Sequence, residues 1–237
     1  MKRIIYMVLM NLFFAPVWML MIKRMGREED RHTKQQRYDY IAKMVRRIIR
    51  FGRVELAAEG VEHIPSDRSF IMFPNHQGLF DMLALFASCP RPLSVVIKKE
   101  AAGWVLVKDV LAATRSLSMD RNDIKDQVRI IGEVAKRVKE GDNFVIFPEG
   151  HRSRQGNEIL EFKSGTFKSA LKAGCPIVPV ALINSFRPFD INSLKRERVE
   201  IHYLEPIFPE EYKNLKTSEI AQIVHDRIKE EIHRTLS

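Results

Sequence analysis

From Val54 to the end of the chain, short apolar runs alternate with segments of helical length, and this alternation constrains the fold more than any other feature of the sequence. Strands are predicted at 53–58, 69–73, 93–97, 117–119, 143–147, 177–183 and 198–203, with helices near 79–87, 104–112, 123–139, 164–173 and 217–235. Such a series implies an α/β domain in which helices flank a largely parallel or mixed sheet. The helix after Arg121 should be capped by Asn122 or Asp123 and stop at Lys139-Glu140-Gly141, where basic residues precede a glycine. A chain of 237 residues suffices for one such domain and an appended segment, and Gly52 divides an arm (1–52) from a body (53–237).

The arm differs from the body in charge. Residues 1–53 carry 13 lysines and arginines against 4 acidic residues, whereas the rest holds 26 of each sign. A nucleic-acid-binding domain would carry its basic surface on the folded body. Here the excess lies beside the most apolar stretch, residues 4–22, which points to an anionic membrane surface and away from nucleic acid. As one helix this stretch would rise about 28 Å, near the thickness of a bilayer core. Its flanks, Lys2 and Arg3 on one side and Lys23, Arg24 and Arg27 on the other, are both basic, and Pro16 invites a kink. A helical hairpin in one leaflet is therefore preferred to a span. Residues 31–51 repeat apolar positions at Tyr38, Ile41, Val45 and Ile48, with Lys34, Arg37, Lys43, Arg46, Arg47 and Arg50 between them. That pattern fits either a membrane-facing helix or a core-packing helix with a solvated basic side.

Chemistry in α/β sheets gathers just beyond the carboxyl ends of strands. Three polar motifs fall there: Pro74-Asn75-His76, Asp120-Arg121, and Pro148-Glu149-Gly150-His151-Arg152. On a continuous helix His76 and Asp81 would diverge, but with His76 in the strand-to-helix turn they can meet. The aspartate would then fix the imidazole tautomer and leave the other ring nitrogen free as a general base. A histidine capping a helix beside an unrelated aspartate has the same spacing. Gly150 lets backbone amides approach a ligand, and Arg152 with Arg154 can grip a phosphate, although a Pro-Glu-Gly turn is often only a turn. Arg121 offers a second phosphate contact or a salt bridge to Asp120 or Asp123. Phosphate loops, dinucleotide fingerprints, nucleophile elbows and zinc spacings are all missing from the sequence, so no metal or resident cofactor is expected. Cys89 and Cys175 read as reduced core residues.

Asn75-His76-x4-Asp81, Asp120-Arg121, Phe147-Pro148-Glu149-Gly150-x-Arg152-Ser153 and Cys175-Pro176-Ile177-Val178-Pro179-Val180 resemble, in order and spacing, the four blocks of the 1-acylglycerol-3-phosphate acyltransferase family. The resemblance runs from about Val54 to Pro206. It implies a glycerolphosphate-acyltransferase-like mixed sheet with an N-terminal membrane-associated helical segment, and an active site facing the cytoplasm. It implies that His76, oriented by Asp81, deprotonates the hydroxyl of a lysophospholipid acceptor, which attacks the thioester of acyl-CoA or acyl-carrier protein without an acyl-enzyme. Arg121, Glu149, Gly150 and Arg152 would serve the acceptor headgroup, and Pro179 the last block near the donor groove. His151 stands where the family usually has threonine, the second block lacks its opening glycine, and Asp109 lies where a glycine is common. These departures leave the reaction in place and open the choice of acceptor to another lysophospholipid. A non-catalytic lipid-binding protein of the same fold is the alternative from a different class.

Overall fold

In the computed structural model, which describes residues 2–103 and 105–237, the arm forms α1 (Lys2–Asn11), α2 (Ala15–Arg27) and α3 (Lys34–Phe51). The body follows as β1 (Val54–Glu59), β2 (Ile71–Pro74), α4 (Asp81–Ser88), β3 (Ser94–Lys98), α5 (Val105–Ala113), β4 (Leu117–Met119) and α6 (Ile124–Lys139). Its second half comprises β5 (Phe144–Val145), α7 (Lys168–Ala173), β6 (Ile177–Ile183), α8 (Arg187–Asp190), β7 (Glu197–Tyr203), α9 (Pro209–Tyr212) and α10 (Thr217–Leu236). The expected helix at 104–112 corresponds to α5, and its first residue, Trp104, lies outside the described residues. The Asp123 side chain caps α6 by accepting from Lys125 N, and Gly141 follows the helix at φ +99°. The short helices α8 and α9 were not foreseen; each has proline in its first turn, where a missing N–H goes unmissed.

Among the described residues seven strands form one mixed sheet in the order β1-β7-β6-β2-β5-β3-β4. Strands β6, β2, β5, β3 and β4 run parallel, whereas β7 is antiparallel to β6 and parallel to the edge strand β1. Every residue of β2 and β6 is buried, as their unbroken apolar sequences require of strands covered on both faces. One apolar layer joins the sheet to α3 and α4 through Tyr38, Ile41, Met72, Leu85 and Val180. The other joins it to α6, α7 and α10 through Ile71, Phe73, Val134, Ala170 and Val224. Pro179 lies inside β6, where the register with the β7 segment slips by one residue between Val180↔Tyr203 and Ile177↔Ile207, so its missing N–H leaves no ladder bond unmade there.

The arm is partly built into the body. The Tyr38, Ile41, Val45 and Ile49 side chains of α3 are 1–4% exposed, so its apolar stripe faces the core and only its basic side is open. Two residues counted with the basic face or flank turn inward instead. Arg3 is buried and donates to the carbonyls of Gly52 (2.7 Å), Arg53 (3.3 Å), Pro188 (3.1 Å) and Lys195 (2.6 Å), which replace its hydration shell. Arg37 is buried likewise, and Lys34 is paired with Asp142. The apolar stretch at 4–22 is not one helix: α1 and α2 meet at 84°, with Pro16 in the first turn of α2. Among the described residues no single helix is long and apolar enough to cross a membrane.

Candidate active site

Five parallel strands deliver their following loops to one edge of the sheet. At the end of β2 the proline halts the ladder, and Asn75 substitutes a side chain for the next strand residue. Its Nδ2 donates to Leu182 O (3.0 Å) and its Oδ1 accepts from Leu182 N (2.7 Å), so the buried amide is bound on both sides to β6. This clamp fixes the turn that presents His76.

His76 Nδ1 lies 2.7 Å from Asp81 Oδ2, with Asp81 the first residue of α4 and wholly buried. The same carboxylate accepts from Gln77 N (2.8 Å), Gly78 N (3.0 and 3.1 Å) and Ser185 Oγ (2.5 Å). With those donors around it, Asp81 can only accept from the imidazole, which places the ring proton on Nδ1. The His76 ring stacks on Phe147 at 4.2 Å and is 17% exposed. Its Nε2 makes no hydrogen bond among the described residues. The ring is thus oriented by Asp81, and a neutral imidazole held this way can accept a proton at Nε2.

The Phe147–Ser153 segment closes over the same turn. Glu149 is buried, with Oε1 accepting from His76 N (2.7 Å) and Oε2 from Leu160 N (3.2 Å). Both oxygens are thus occupied by main-chain donors, and the carboxylate braces the histidine turn from beneath instead of opening onto a headgroup. Burial pushes its carboxyl up to about 7, and the charge of Asp81 pushes the same way against the two N–H donors. Gly150 holds φ +76°, a conformation that favours glycine, and the Lys163 side chain packs over it. Arg121, half-buried, donates to Gly150 O and bonds neither Asp120 nor Asp123, while its buried Nε lacks a partner among the described residues. Burial draws its pKa below the ordinary arginine value, opposed by Glu100. Ser153 N donates to His76 O at 2.9 Å. Beside it, Arg152 and Arg154 line a groove of about 800 Å3 with Phe186 and Phe189.

Hydrogen bonds thus link His76, Asp81, Glu149 and the Gly150 segment with Arg121, whereas Arg152 lines the adjoining groove. Residues 55–183 match the acyltransferase family. The chain is 30% identical over 191 residues to a 1-acyl-sn-glycerol-3-phosphate acyltransferase of Haemophilus influenzae, covering 77% of this chain and 78% of that one. It belongs to the 1-acylglycerol-3-phosphate acyltransferase family. A relative of the same name from Salmonella typhimurium is 32% identical over 153 residues, covering 64% of this chain and 62% of its own. The fold matches the crystal structure of the 1-acyl-sn-glycerophosphate acyltransferase of Thermotoga maritima, with a TM-score of 0.79 at 22% identity over 100% of this chain and 98% of that one.

The structure adds residues to this candidate site that the sequence did not single out. Gln77 donates to Leu182 O (2.8 Å) and Asn157 Oδ1 (2.9 Å) and accepts from Ser185 N (2.7 Å), tying the loop after β2 to the loop after β6. Asn184 takes φ +59° and is held by Asn157 through its N–H (2.8 Å) and side chain (3.0 Å). Asn184-Ser185 directly follows a wholly buried strand, the placement that marked the other motifs, and that was the available signal.

Glu149 also makes the stability of the acyltransferase pH-dependent. Its pKa rises from 4.5 unfolded to about 7 folded, so between those values the folded state holds more protons. Its contribution is full below pH 4.5 and is lost as pH rises toward 7, a change of about 3 kcal/mol. Denaturant midpoints from pH 5 to pH 8 should fall more steeply for wild type than for Glu149→Gln. Equal slopes would show that this carboxyl does not titrate as described.

Proposed function

We propose that this acyltransferase moves a fatty acyl group from acyl-CoA or acyl-carrier protein to the sn-2 hydroxyl of 1-acylglycerol 3-phosphate, giving phosphatidic acid, with His76 as general base. The observation that carries the reading is the 2.7 Å contact of His76 Nδ1 with a buried Asp81, which leaves Nε2 as the ring nitrogen without a protein partner among the described residues. The acceptor is suggested by the relatives from Haemophilus influenzae and Salmonella typhimurium, both 1-acyl-sn-glycerol-3-phosphate acyltransferases.

In the reaction, His76 Nε2 takes the hydroxyl proton as the oxygen attacks the thioester carbonyl. Asp81 stabilises the imidazolium so formed. The tetrahedral intermediate collapses by breaking the C–S bond, and the imidazolium returns its proton to the leaving thiolate. An ester replaces the thioester, and no resident cofactor takes part. Direct transfer is favoured because the Cys89 and Cys175 thiols are both buried and pushed up to about 12, which denies them the thiolate form a nucleophile needs.

Arg152 and Arg121 supply the positive charge for the acceptor phosphate. Arg152→Ala should raise KM for 1-acylglycerol 3-phosphate by about 10- to 100-fold, the worth of a charge-assisted hydrogen bond, and leave KM for a phosphate-free monoacylglycerol unchanged. Equal effects on both acceptors, or equal wild-type use of both, would remove the phosphate from the site.

The arm brings the site to a cytoplasm-facing membrane surface. Ile5, Val8, Leu9, Leu12, Phe13, Val17 and Leu20 are large, apolar and exposed on α1, α2 and the turn between them, with Phe13 in that turn 89% exposed. A patch of this kind next to Lys23, Arg24 and Arg27 suits shallow insertion beside anionic headgroups, and the 84° bend favours lying in one leaflet over spanning.

A further inference from the structure

A second cluster of ligand-type side chains lies on the face of the sheet covered by α10, at the β1 edge. The parallel register sets Glu59 of β1 opposite His202 of β7, and Glu200, two residues earlier on β7, shares that face. From α10, Glu231 reaches the imidazole, with Oε1 2.5 Å from His202 Nδ1. His202 is 3% exposed, and its buried Nε2 has no hydrogen-bond partner. That nitrogen is aimed between Glu59 Oε2 and Glu200 Oε2, 3.8 Å from each, too far for a hydrogen bond. Donor atoms of all three residues lie within 4.8 Å of one another.

We infer that Glu59, Glu200 and His202 bind a divalent transition-metal cation of the zinc type, with Glu231 orienting the imidazole. An imidazole that gives one N–H to a carboxylate and turns its other nitrogen to further carboxylates has the arrangement of a metal-ligating histidine with its outer partner. Three carboxylates converge and two guanidiniums answer them, Arg198 Nε 3.2 Å from Glu200 and Arg234 Nη2 2.6 Å from Glu231, which leaves the cluster one net negative charge to attract a cation. A nitrogen and two carboxylates suit zinc better than magnesium, which prefers oxygen alone. Metal bonds of about 2.0–2.2 Å set tetrahedral donors about 3.4 Å apart, so the cluster needs only a small contraction. Glu59, with its side chain 58% exposed, is free to make it. The bound ion would fasten the edge strand β1 to β7 under the last turns of α10.

Titrating the EDTA-treated full-length protein with zinc chloride by calorimetry, with magnesium chloride in parallel, tests the site. Expected are one saturable zinc ion per chain, a raised thermal midpoint with zinc and not with magnesium, and affinity lowered about 10- to 100-fold in Glu231→Gln. His202→Gln disturbs a buried position, so the surface substitution Glu59→Gln decides: it should fold as wild type and bind zinc at least 10-fold more weakly. Absence of saturable zinc binding would overturn the proposal. Zinc binding unchanged in Glu59→Gln would place the ion elsewhere, for example at the His63–Glu205 pair, and also overturns it.

Discussion

Asp81→Asn is expected to lower turnover by roughly 10² to 10⁴-fold and to weaken the fold at the same time. The carboxylate accepts from His76 Nδ1, Gln77 N, Gly78 N and Ser185 Oγ, and it is wholly buried. An asparagine offers one acceptor oxygen and an NH2 group, which must face at least one of those donors. Each buried polar group left unpaired costs about 1–3 kcal/mol. The imidazole also loses the acceptor that keeps its proton on Nδ1, so the nitrogen facing the substrate no longer serves as base. A further sign is specific to this site: with the negative charge gone, Glu149 loses one of the two influences holding its carboxyl near 7. The pH range over which stability falls should therefore move down. Denaturant unfolding across pH, together with kcat from thiol release, measures all three effects. Near-normal kcat in a folded Asp81→Asn protein would show that orientation of His76 is not rate-determining.

His76→Ala should reduce kcat by a comparable or larger factor with far less damage to the fold. The ring is only partly buried, its loss costs stacking on Phe147, and Asp81 keeps its three other donors. The acceptor KM should stay near wild type, because Arg121 and Arg152 are untouched and the turn is still held by Asn75, Glu149 and Ser153 through the backbone. Loss in kcat with KM preserved is the signature of a group that acts in the transition state. Unchanged turnover would leave a lipid-binding protein that merely shares the fold.

Much of the site was legible because it follows from chain-local rules. An apolar strand ending in Pro74, a histidine in the following turn and an aspartate at the helix start place themselves once the strand and helix are read. The network behind them was not legible. Asn75 and Gln77 bond residues more than 100 positions away on β6 and beyond, and only the sheet order makes β2 and β6 neighbours. The role of Glu149 was obscured for a related reason. Its charge suggests a polar ligand, whereas its burial beneath His76 N and Leu160 N makes it a brace. In the arm, the period of Tyr38, Ile41 and Val45 announces an apolar stripe but cannot name what covers it, and the structure shows the core does. Arg3 illustrates the limit most plainly, since a terminal arginine beside an apolar run gives no hint of the four carbonyls that enclose it.

Direct attack of the acceptor hydroxyl on the thioester, driven by His76, is tested most directly by thiol release from acyl-CoA or acyl-carrier protein with acceptor present and absent, followed by the intact mass of the protein. Thiol should appear only when 1-acylglycerol 3-phosphate is supplied, in step with phosphatidic acid, and the protein mass should not change. A burst of thiol equal to the enzyme without acceptor, together with an acyl adduct on the chain, would contradict it.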